Sequence, residues 1–177
     1  MANGKGVRTG PFLVRGSVSK ATAAGFAQAE IDLGSYVDAL GEAVLKIHSI
    51  QVVHQETSQP EKGPVASGNG VTLNYGFQLT TQTQSGMVLS NDRSVIASGN
   101  LTTPKDSGSA IIKGVFDTNN LNPSFYQDGV LIATQTLYLG VANDVTMDDA
   151  CTTTVIMECS VQPLDNREAL ALALGQQ

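Results

Sequence analysis

The chain has no tryptophan, two histidines, two cysteines and few charges, and each shortage removes a class of function. Aromatic residues make up 5% of it, too few to furnish a stacking platform for sugars or single-stranded bases. His48 and His54 fall in one expected strand, on the same face and about 20 Å apart, too far to share a metal ion. Cys151 and Cys159 lie about 26 Å apart on another expected strand. A disulfide needs Cα atoms within about 7 Å, so they do not pair, and buried free thiols fit a reducing compartment. Neither cysteine has a neighbour in sequence that would lower its pKa. No serine sits in a Gly-x-Ser-x-Gly elbow, and the glycines of residues 63–70 lack the Lys-Ser/Thr ending of a phosphate loop. No run approaches the roughly 18 apolar residues of a membrane span. The opening MANGKGVRTGPF has no apolar segment of a secretory signal, so folding in the cytoplasm is the expectation, and Asn100-Leu101-Thr102 is not expected to carry a glycan. No catalytic, cofactor-binding or metal-binding residue is assigned, no cofactor is expected, and the chain is not read as an enzyme.

What is present is alternation. In residues 71–81, Val71, Leu73, Tyr75, Phe77 and Leu79 face one way while Thr72, Asn74, Gly76, Gln78 and Thr80 face the other. Residues 151–161 repeat the pattern, with Cys151, Thr153, Val155, Met157, Cys159 and Val161 in phase and, opposite them, polar residues apart from Ile156. This period of two marks a strand with one face on a core. Further strands are expected over 12–18, 27–33, 43–54, 87–97 and 110–116. Residues 130–139, apolar on both faces, read as one central strand. The segments 58–70, 98–108 and 117–129 are rich in turn residues and longer than hairpin turns, which suits Greek-key crossings. Residues 19–26 are Ala-rich enough for a short helix, though Gly25 weakens it. Over 165–174, Asp165 and Glu168 form a capping box and Gly175 closes a short C-terminal helix; the Ala-Leu alternation there leaves a strand open. At 177 residues the chain has the length of one domain. The expected fold is all-β: an antiparallel eight-stranded β-sandwich of jelly-roll type over 21–177, preceded by an N-terminal arm over 1–20.

Charged residues are 15% of the chain, against about 25% in an ordinary soluble domain. Ser, Thr, Asn, Gln and glycine fill the difference, which points to a surface covered by neighbouring subunits; a neutral monomer is the plainer alternative. Four of the ten basic residues, Lys5, Arg8, Arg15 and Lys20, precede the first acid, Glu30. The remaining six face sixteen acids, which argues against a nucleic-acid surface on the body. The arm fits a solvated terminus, an acidic neighbour, a genome or a membrane face. Near the last strand, Asn143, Asp144, Asp148 and Asp149 offer hard oxygen ligands that calcium accepts, but in no EF-hand spacing. Solvated turn acids, or pairing with a neighbour's arm, are the more common arrangement.

Taken together, the strands at 71–81, 130–139 and 151–161, the long polar crossings, the terminal helix and the arm from Met1 to Lys20 resemble the single jelly-roll major capsid proteins of tailless icosahedral viruses. The likeness covers nearly the whole chain as architecture, without a diagnostic motif. It implies a homo-oligomeric capsid subunit that forms capsomers with copies of itself or other coat subunits. The virion, assembled in a host cytoplasm, would be its place. It implies no small-molecule substrate, and the sparse arm departs from strongly basic genome packagers. The competing reading is a non-enzymatic binding module, lectin-like or a phage fibre tip, for which the Phe125–Tyr126 pair would supply loop aromatics. A cupin-type enzyme would need several histidines near a carboxylate, which the His48–His54 spacing does not give.

Overall fold

A computed structural model describes residues 10–38, 43–108, 116–120, 129–164 and 166–176. They form strands β1 (Phe12–Lys20), β2 (Gly25–Asp32), β3 (Ala43–Glu56), β4 (Thr72–Thr80), β5 (Val95–Pro104), β6 (Phe116–Asn120), β7 (Val130–Ile132), β8 (Thr136–Asn143) and β9 (Cys151–Pro163), then helix α1 (Asn166–Gly175). Two antiparallel sheets result, in the orders β1-β9-β3-β7 and β2-β8-β4-β5-β6. Leaving β6 aside, the first strand pairs with the last, the second with β8, the third with β7 and the fourth with β5. That nesting is one long antiparallel hairpin rolled up, the jelly roll.

Alternation explains why the sheets face each other. Val14 and Val18 of β1, Leu45 and Ile47 of β3, and Val155, Met157 and Cys159 of β9 line one inner face. Leu73, Tyr75, Phe77 and Leu79 of β4, with Leu137, Leu139 and Val141 of β8, line the other. Gly16 leaves room that Ile31 of the opposite sheet fills, since a Cβ there would collide with the isoleucine side chain. One polar chain crosses the core. Tyr75 Oη and Thr153 Oγ1 share a hydrogen bond of 3.0 Å, and His54 Nδ1 lies 2.9 Å from the same Thr153 oxygen. His54 also packs against the Tyr75 and Phe77 rings.

Several expectations are corrected. Residues 12–20, assigned to the arm, are β1, held along its whole length by β9; residues 1–9 lie outside the described set. No helix forms over 19–26, because Lys20 Nζ donates to the carbonyls of Ala21 and Ala23 and turns the chain directly into β2. The expected strand over 87–97 begins only at Val95 and runs on through residues taken as a turn. Residues 117–120, also taken as a turn, pair with β5 together with Phe116, the last residue of the strand expected over 110–116, whereas 110–115 and the Phe125–Tyr126 pair lie outside the described residues. Residues 130–139 are two strands in different sheets: β7 is an edge strand, and β8 runs between β2 and β4. The eight strands of the jelly roll are present, and β6 adds a ninth described strand at the edge of the second sheet.

A bulge in β3 between Ile47 and Ser49 shifts its register on β9. An extra residue there reverses the phase of everything after it. Leu45 and Ile47 point inward before the bulge, and Ile50, Val52 and His54 after it. His48 instead joins the outer face, 2.8 Å from Ser160 Oγ. The two histidines thus lie on opposite faces, not the same one. Beside the bulge, Gly129 adopts φ 72°, and a Cβ on it would collide with the Ile47 carbonyl.

Two stability predictions follow from these contacts. Thr153→Val strands the Tyr75 hydroxyl in the core and is expected to cost about 1–3 kcal/mol in urea unfolding; Tyr75→Phe, which leaves Thr153 bonded to His54, is expected to cost less. Gly129→Ala is expected to cost about 2 kcal/mol in the same assay, because left-handed backbone alone costs a side chain about 1–2 kcal/mol.

Candidate interaction surfaces

Strand pleat sets what the four-stranded sheet shows on its outer side. Residues opposite one another across β1, β9 and β3 form rows: Leu13–Glu158–Ser49, Arg15–Ile156–Gln51, Ser17–Thr154–Val53 and Ser19–Thr152–Gln55. Hydroxyls knit the rows together. Ser19 Oγ lies 3.1 Å from Thr152 Oγ1, and Ser49 Oγ donates to Glu158 at 3.2 Å. Leu13 and Val53 are 51% and 38% exposed, so the face is mostly neutral and polar with apolar points, and carries the charges of Arg15 and Glu158 within these rows. At its far edge Leu164 and Leu172 cover Val44, Leu131 and Ala133.

The outer side of the five-stranded sheet is covered over the middle of β4, while Glu30, Thr72, Asn74 and Asn100 on that side are exposed. Gln78, fully buried, donates from Nε2 to the Gly86 carbonyl and accepts from the Val88 amide, which folds residues 81–94 back over β4. Gly76 admits the Met87 methyl against the strand. Leu89 is left 76% exposed on that loop.

The β1–β2, β3–β4 and β8–β9 connections and the start of the β5–β6 connection meet at one end. Ala66 bridges Met147, the Met147 amide donates to the Thr22 carbonyl, and the Asp148 amide donates to the Val65 carbonyl. Lys105 Nζ reaches the Ala66 carbonyl at 2.9 Å and Asp148 at 3.2 Å. Between these loops opens a cleft of about 800 Å³ lined by Glu56, Ser58, Lys62, Lys105, Asp148 and Asp149. The Asp149 carboxylate accepts from the Ser58 amide and hydroxyl and the Ala150 amide, which hold it below the usual carboxylate range. Glu56 is only 5% exposed, and its carboxylate has no hydrogen bond or ion pair with a described residue. Burial pushes its pKa up, and Lys62 pulls the other way.

The acidic trio read as a calcium candidate is split. Asp148 and Asp149 line the cleft, while Asp144 accepts from the amide and side chain of Asn74. Among the described residues no group of three His, Cys, Asp or Glu side chains is arranged to hold a metal ion. Cys151 and Cys159 are buried free thiols, and burial pushes both up, Cys159 to about 12. They are therefore protonated at neutral pH and are poor nucleophiles. Nothing in the chain's periodicity marks Glu56, because its burial depends on loops from distant parts of the sequence meeting.

No family model and no curated protein matches the chain. Solved structures to which it is similar include several from viruses. They include maize chlorotic mottle virus, at 6% identity over 89% of this chain and 95% of that one, with a TM-score of 0.36. Desmodium yellow mottle tymovirus matches at 10% identity over 93% and 95%, with a TM-score of 0.37. The unassembled pentamer of Merkel cell polyomavirus VP1 matches at 9% identity over 85% and 95%, with a TM-score of 0.40. At these values the matches bear no weight for function, which is argued below from the chain's own surfaces.

The buried Glu56 carboxylate yields a prediction with a definite sign. A raised folded-state pKa favours the protonated form, so its stability is present below the unfolded value and is lost as pH rises through the folded value. Glu56→Gln is expected to melt higher than the native chain at neutral pH, with the gap closing as the pH falls below the ordinary glutamate range. Melting curves from pH 3 to pH 8 measure it.

Proposed function

We propose that this chain is a viral structural protein, a capsid subunit that assembles with copies of itself into capsomers and a closed shell. The observation that carries the reading is the outer face of β1, β9 and β3, uncovered among the described residues, with rows of Ser, Thr and Gln around Leu13, Val53 and Ile156 and the two charges of Arg15 and Glu158. Burying neutral hydroxyls and amides costs much less than burying charges, and their hydrogen bonds can be remade across a subunit boundary. Repeating such a contact around a symmetric particle multiplies a weak interface into a stable one. The loop held across β4 makes the two sides of the subunit unequal, which suits a tile with one side committed to neighbours. Other coat subunits are partners of the same kind. Contacts of residues 1–9 with a genome or an internal membrane, and assembly in a host cytoplasm, belong to this reading as further expectations.

The test places a charge on the face without touching the core. Val53→Asp, at a position 38% exposed and opposite Thr154, is expected to keep the native circular dichroism spectrum. In sedimentation velocity it is expected to raise the concentration needed for assembly at least about tenfold, because it buries an unpaired carboxylate. Assembly of the variant at the native concentration contradicts the role given to this face.

A further inference from the structure

Among the described residues β7 is an edge strand, paired with β3 on one side through Leu45, Lys46 and Ile47. Along a strand, alternate residues send their amides and carbonyls to the same side. On the side away from β3, Leu131 and Ala133 are met by one side chain from the far end of the sequence. Gln176 Oε1 accepts from the Ala133 amide at 3.0 Å, and Gln176 Nε2 donates to the Leu131 carbonyl at 2.6 Å. Two ladder bonds that a further strand would make are thus made by a side-chain amide.

The segment that carries Gln176 is tied at few other points. Its own carbonyl accepts from Thr81 Oγ1, just past β4 in the facing sheet, at 2.7 Å. Leu172 of α1 packs over Val44 and Ala133, while Leu170 and Leu174 are 53% and 64% exposed. A helix of ten residues is marginal without packing, so α1 stays in place by these contacts. It is a strap that can come away without opening the core.

We propose that the segment from α1 to Gln176 closes the β7 edge, and that its release opens this edge to pairing with β7 of a second copy of the chain. The edge selects that occupant because it is self-complementary. An antiparallel copy with Leu131 opposite Ala133 exchanges the same two groups, the Ala133 amide and the Leu131 carbonyl, in both directions. That arrangement is two-fold symmetric, an isologous contact. Free strand edges template pairing between chains, and covering them is how folds prevent it. The proposal goes beyond the assembly reading, which concerns a face and not an edge, and holds for a single subunit in solution.

The test uses the full chain carrying Val53→Asp, so that contacts through the outer face do not obscure the edge, with Gln176→Met or, separately, Leu172→Ser added. Methionine keeps the side-chain length and removes both bonds; serine at 172 loosens the helix and leaves the glutamine in place. Amide hydrogen exchange is followed residue by residue by NMR. In dilute solution the Ala133 amide is expected to exchange at least about tenfold faster in both variants than in the parent. Leu139 and Val141 in β8 are expected to keep the parent rates, so faster exchange is not lost folding. As concentration rises, Ala133 is expected to regain protection while sedimentation velocity shows a dimer. An Ala133 amide that keeps the parent rate in Gln176→Met overturns the proposal. So does fast exchange at Ala133 with no dimer up to millimolar chain, which makes α1 a packing element alone. Equal acceleration at Leu139 and Val141 also overturns it, because the bonds then support the whole fold. If Val53→Asp still assembles, the face reading falls, and the Ala133 rates still decide for or against the strap.

Discussion

The position of β9 between β1 and β3 is the constraint on which the rest of the fold depends. Without it β1 has no neighbour in its sheet and β3 keeps only the three-residue β7. The strand is the last in the chain and its partner β1 the first, so the roll closes only when the two ends of the sequence meet. Such pairings carry a high loop-closure cost before contacts reward them, which makes slow folding the expectation. β9 also supplies Thr153, the point where the polar chain from Tyr75 and His54 ties the two sheets at a fixed relative placement.

That placement produces an unequal subunit. The same pleat that sends Val155 and Met157 inward sends Thr152, Thr154 and Ile156 outward, onto a face that, among the described residues, no loop covers beyond the α1 edge. On the other sheet, Gln78 spends its side chain holding residues 81–94 across β4. The loops at one end form a tied platform around the cleft of Glu56, Lys62, Lys105, Asp148 and Asp149, and β1 begins at the opposite end.

Much of this was legible in the sequence wherever one side of a strand meets the core and the other does not. Residues 71–81 and 151–161 alternate cleanly and are β4 and β9. Residues 130–139 misled because apolarity on both sides has two causes there. Leu131 and Ala133 pack under α1, while Leu137 and Leu139 pack between the sheets. Met87 and Val88 read as a strand, but their apolar surface caps the outside of β4. The bulge at Ile47 and Ser49 leaves no mark in composition, so the two histidines were placed on one face. Asp148 and Asp149 were visible as a cluster, yet their partners Lys105 and Ser58 come from loops about 40 and 90 residues away. Glu56 ends a long strand in phase with the core, and only the meeting of those loops buries it.

The central claim is that the chain builds a particle, and electron microscopy of the purified protein tests it most directly. Negatively stained material at micromolar concentration is predicted to show rings or closed shells of uniform size. A field of single subunits, matched by a monodisperse monomer in sedimentation at low and high salt, would contradict the account.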